Sequence, residues 1–97
     1  MPSEPSLVIE RKVEGGKLFR LRVTNIEGSP SIQLTGDFFL EPEEGIDIIE
    51  GCLVECLEAP DKREAERKLR RAITESQIQI LGFEAKDIVD ALWEARS

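Results

Sequence analysis

The chain has 97 residues, 40% of them apolar and 34% charged, a composition that predicts one small globular domain rather than a disordered segment. A domain of this length buries only about 60–65% of its unfolded surface, which leaves little room for a deep private pocket. Twenty acids against 13 bases give a net charge of −7, which argues against nucleic acid as a partner, and with no histidine the usual neutral-pH general base is missing.

Residues 1–6 (MPSEPS) read as a loose leader before a single domain over 7–97. From Leu7 to Val13 the apolar residues follow an imperfect period of two, and Gly15-Gly16 then predicts a hairpin turn. Lys17 to Thr24 alternates more cleanly, with Phe19, Leu21 and Val23 on one face and Arg20, Arg22 and Thr24 on the other. Asn25 to Pro30 predicts a second turn, and Ser31 to Thr35 a third strand that Gly36 ends. The expectation is a three-stranded antiparallel meander with one covered face and one wet face.

After Phe39 the apolar period shifts toward 3.6. Pro42 suits the first turn of a helix, Glu43 and Glu44 complement its dipole, and Ile46, Ile49, Leu53, Cys56 and Leu57 form its stripe up to Pro60. Asp61 and Glu64 make an N-terminal capping pattern for a second helix carrying Ala65, Leu69, Ala72 and Ile73. Gln77 to Phe83 reads as a strand by alternation and as a loop by its glycine. Ala85, Ile88, Val89, Leu92 and Trp93 predict a last helix. The order predicts an α+β domain, with about three helices on one face of a small sheet.

Four stretches are candidates for chemistry. Gly15-Gly16-Lys17 lacks the spacing of a phosphate loop and opens a strand, so it is a tight turn or a loop presenting Lys17 to an anion. Gly36-Asp37-Phe38-Phe39 carries two adjacent phenylalanines, which cannot both face the core of a continuing strand. Either both rings bury in a chain reversal capped by Asp37, or one stays at the surface as a partner contact. Cys52 and Cys56 are four apart on the first helix and coincide with its apolar stripe. Without histidine or further cysteine they cannot complete a four-ligand zinc or iron–sulfur site, and core packing is the better reading. Charge is segregated, with nine acids and no base in 37–61 and six bases against two acids in 62–71. Such runs are solvated helix faces or electrostatic docking surfaces. No apolar run approaches the roughly 20 residues that span a bilayer, and no signal peptide precedes the domain, so a cytoplasmic protein is expected.

E-G-G-K-L-F-R-L-R-V followed by S-I-Q-L-T-G-D-F-F-L-E-P-E-E-G-I-D-I-I-E resembles the C-terminal domain of lipoate–protein ligases, in the form of a free-standing small subunit. The resemblance runs from about Leu7 to Trp93, and its specific parts are G-G-K-L and G-D-F-F. It implies three antiparallel strands followed by helices, and an accessory role. The catalytic subunit would hold ATP, Mg²⁺ and lipoate, and this chain would be needed for making lipoyl-adenylate. Lipoyl-domain acceptor proteins would be met through that subunit. It carries over Gly15, Gly16 and Lys17 as a turn near the interface, and Gly36, Asp37, Phe38 and Phe39 as the second signature, with no bond-making role for any of them. The element order also resembles iron–sulfur scaffold and sulfur-acceptor proteins. Those place cluster cysteines beside the first hairpin turn and after the third strand, where this chain has Gly15-Gly16 and Gly36-Asp37-Phe38. An interaction module serving another assembly is the alternative.

Overall fold

The computed structural model describes residues 6–13, 15, 17–24 and 28–96. Strands β1 (Ser6–Lys12), β2 (Leu18–Thr24) and β3 (Ser31–Gly36) form an antiparallel sheet in the order β1-β2-β3. Strand β4 (Phe39–Glu41), helices α1 (Gly45–Cys56) and α2 (Lys62–Glu75), strand β5 (Gln79–Leu81) and helix α3 (Ala85–Arg96) follow. The α+β class and the meander are as the periodicity predicts.

Register explains the two faces of the sheet. Ile9 lies opposite Leu21 and Leu21 opposite Leu34, while Val23 lies opposite Ile32. A period of two puts these side chains on one face, and all are buried in a single core with the helices. Arg20, Arg22, Gln33 and Thr35 alternate with them and stay exposed. Helix α1 packs on β3, α3 packs on β1 and β2, and α2 lies against both helices. The α1 stripe is Ile49, Leu53 and Cys56 at its centre, and the α3 stripe is Ile88, Val89 and Leu92, all buried. Burying a side chain of this size contributes about 1.5–3 kcal/mol, so these stripes are what hold helices to sheet.

Several boundaries shift. Residues 1–5 of the expected leader lie outside the described residues, and Ser6 already belongs to β1. Lys17 precedes β2 rather than opening it. Helix α1 starts at Gly45, because residues 42–44 form a preceding turn in which the Gly45 N–H donates to the Pro42 carbonyl at 2.9 Å. At α2 the capping pattern is realised, with the Glu64 N–H donating to Asp61 Oδ1 at 2.8 Å. Trp93 is only partly buried, at the edge of the core, with the Arg96 guanidinium 4.1 Å from its ring centroid.

The larger departure is β4, which the sequence reading does not contain. It pairs with β5 in a second, two-stranded sheet, Phe39 opposite Leu81 and Leu40 opposite Ile80. The ambiguous stretch 77–83 is thus both strand and loop: Gln79–Leu81 pairs, and Gly82 at φ +127° ends the pairing.

Candidate functional site

Both signature stretches meet at one end of the meander. The Val13 N–H donates to the Lys17 carbonyl at 2.7 Å and closes the β1–β2 connection. Gly15 in that connection has φ +101°, and a Cβ there would meet nothing within 4 Å. Its glycine therefore serves backbone conformation rather than space. Gly16 lies outside the described residues. Lys17 is exposed and borders an open groove of about 680 Å³ between this hairpin and the start of α3. Lys12 and Lys17 line one side of the groove, and Glu84 and Asp87 also line it.

Gly36 sits directly against the start of β2. Its φ is +144°, and a Cβ there would collide with the Leu18 carbonyl oxygen and lie 2.6 Å from Phe19 Cα. The Asp37 N–H donates to that same Leu18 carbonyl at 2.7 Å. It is thus the backbone of Asp37 that ties the reversal to β2, while residue Asp37 itself is exposed.

The two phenylalanines part company. Phe38 packs edge-on against Phe83 with ring centroids 4.8 Å apart, and Phe83 in turn contacts Phe19 at 5.1 Å. Phe39 points outward and is 55% exposed, opposite Leu81 at 65%. The reading with both rings buried is therefore replaced by the one-in, one-out reading. The physical cause is β4: a strand after the reversal sends neighbouring side chains to opposite faces. Phe83, which completes the aromatic cluster, and Leu81, which lies opposite Phe39, carry no signal of their own in the sequence. The alternation of Gln77 to Phe83 was the available signal, but it named no pairing partner.

Phe39 borders a second groove, of about 390 Å³, with Leu40, Ile46, Glu41 and Glu43. The structure thus places Lys17 and Phe39 at the mouths of different grooves, joined by the Phe19–Phe83–Phe38 cluster between them.

Cys52 and Cys56 both face the core, Cys56 fully buried and its thiol donating to the Ala65 carbonyl at 3.5 Å. The neighbouring Cys52 and burial push the Cys56 thiol far above its usual range, while the hydrogen bond available from Cys56 lowers Cys52. Among the described residues, no three histidine, cysteine, aspartate or glutamate side chains converge to hold a metal ion.

The basic run is largely neutralised in place. Lys62 pairs with Asp90 at 2.7 Å, Lys68 with Glu55 at 3.2 Å, Arg70 with Glu66 at 2.8 Å, Arg71 with Glu75 at 3.0 Å and Arg67 with Glu64 at 3.4 Å. The Glu55 carboxylate holds the Lys68 ammonium above the usual lysine range. The acidic run is not neutralised: among the described residues Asp37, Glu41, Glu43, Glu44 and Asp47 form no ion pair, and only Glu55 of that run does. Compared with known proteins, the chain matches no family model, no curated protein and no solved structure. Among the described residues no helix is long and apolar enough to cross a membrane.

Proposed function

We propose that this chain is the non-catalytic accessory subunit of a two-part lipoate–protein ligase, needed when a separate catalytic subunit activates lipoate with ATP to lipoyl-adenylate. The observation that supports this reading is the convergence of its two signature stretches. Lys17 and the Gly36–Asp37 reversal lie side by side because Gly36 packs on Leu18 and Phe19, the residues that follow Lys17. Both stretches would then contribute to one contact with the catalytic subunit.

ATP, Mg²⁺ and lipoate would be bound by that subunit. Two roles are open to this chain, the first of them through the exposed Lys17 ammonium. It would neutralise phosphate charge as the adenylate forms, a stabilisation delivered across the interface. Alternatively the small subunit would order the loops of its partner by binding one conformation better. Acceptor lipoyl domains would then be modified by the complex, in the cytoplasm.

The test is ATP- and lipoate-dependent adenylate formation by the ligase-like catalytic chain of the same cell, with and without this protein. Adenylation only in the mixture is expected, weakened by Lys17→Ala or Asp37→Ala. A catalytic chain equally active alone would overturn the reading and leave an interaction module for another assembly.

A further inference from the structure

We propose that the groove bordered by β4 and the start of α1 is a docking site for a segment of a partner protein in which an apolar side chain is flanked by lysine or arginine. The floor and walls are apolar: Phe38, Phe39, Leu40 and Ile46. The charged residues that line it, Glu41 and Glu43, are both acidic. An apolar cleft with a rim of one sign selects its occupant by charge and holds it by burial.

The charge of the rim is not an accident of two residues. No base occurs between positions 37 and 61, and the carboxylates of Asp37, Glu41, Glu43, Glu44 and Asp47 are without an ion-pair partner among the described residues. The Lys17 groove differs, because lysines and carboxylates share its lining and give it no preferred sign. The exposed Phe39–Leu81 pair extends the apolar surface beyond the groove along the β4–β5 ribbon.

A second copy of this chain is a poor occupant. Its most basic helix is α2, and five of the six bases there are already paired within the chain; in β2, Arg20 is paired with Glu10 and Arg22 lies between the buried Leu21 and Val23. Docking α2 against the rim would break those pairs, and the apolar neighbours of the β2 bases are buried in the core, so the complementary segment is assigned to another protein. The proposal stands independently of the ligase reading, since it concerns the chemistry of the segment and not the enzyme that carries it.

The test uses the full chain, isotope-labelled, titrated by NMR with three synthetic peptides of equal length. One alternates lysine and leucine, one has glutamate in place of lysine, and one has serine in place of leucine. Only the lysine–leucine peptide is expected to shift the backbone amides of residues 38–46 saturably. Glu41→Lys combined with Glu43→Lys should weaken it about tenfold or more, as should Phe39→Ser. These side chains lie at the surface, and the peptide selectivity of the unmodified protein decides the matter even where a variant misfolds. Shifts outside 38–46, or equal binding of the glutamate peptide, would overturn the proposal. Self-association in sedimentation that Phe39→Ser abolishes would overturn it in favour of a second copy.

Discussion

Glu50, in the middle of α1, accepts the backbone N–H of Leu34 on edge strand β3, with Oε2 2.8 Å from the nitrogen. An unpaired edge N–H is both a lost hydrogen bond and a template for unwanted strand pairing. The contact therefore docks α1 on the sheet and blunts its edge in one bond. A hydrogen bond to a charged group contributes about 1.5–3 kcal/mol. Glu50→Ala should lower the unfolding free energy by that order in urea denaturation, while Glu50→Gln, which keeps an acceptor, should cost less.

Gly36 and Gly15 separate two uses of glycine. Both have φ between +100° and +150°, but only at Gly36 would a Cβ strike backbone, at Leu18 and Phe19. Gly15→Ala should cost about 1–2 kcal/mol, the conformational penalty alone. Gly36→Ala should cost clearly more, above about 2 kcal/mol, because the Leu18 backbone cannot move without breaking the Asp37 hydrogen bond. Paired denaturation curves read the difference, and equal losses would contradict it.

The aromatic cluster makes a second contrast. Phe83 is buried between Phe19 and Phe38, whereas Phe39 is exposed. Phe83→Ala should destabilise by about 3–5 kcal/mol. Phe39→Ala should change stability by about 0.5 kcal/mol or less. Thermal melts of the two variants check this, and a near-neutral Phe39 variant also qualifies that position for binding experiments.

The thiols set an alkaline limit. In the folded chain Cys56 keeps its proton well above the usual thiol range, held by Cys52 and by burial, while Cys52 is lowered. Above about pH 8.5 an unfolded chain releases both thiol protons and the folded chain only one. The lowered Cys52 makes stability rise with pH up to that point; above it the folded state binds more protons through Cys56, so stability falls as pH rises further. Cys56→Ala should remove most of that slope. By the same logic a thiol reagent on native protein should modify Cys52 slowly and leave Cys56 for the unfolded state, which mass spectrometry of the labelled peptides resolves.

The strands, their faces and the α2 cap were legible because they are local. Phe19, Leu21 and Val23 announce a covered face by period two alone, and Asp61 with Glu64 announces a helix start by spacing alone. Strand β4 was not legible. Three residues, Phe39–Glu41, carry too little pattern, and their hydrogen-bond partners lie beyond two helices at Gln79–Leu81. The candidate site divides in the same way. G-G-K-L and G-D-F-F could be marked out as residues, but the collision that makes Gly36 obligatory depends on Phe19, its partner across the sheet.

The class of the domain, the excess of negative charge and the absence of histidine are legible in the chain alone, since composition and short-range periodicity need no partner to be read. Which of the adjacent phenylalanines packs inward, which charges find a partner and where the apolar groove lies emerge only on folding. Those follow from contacts between residues distant in the chain: Phe38 with Phe83, Lys68 with Glu55, Lys62 with Asp90. Such pairings are selected by the packing of the whole core rather than by any local preference.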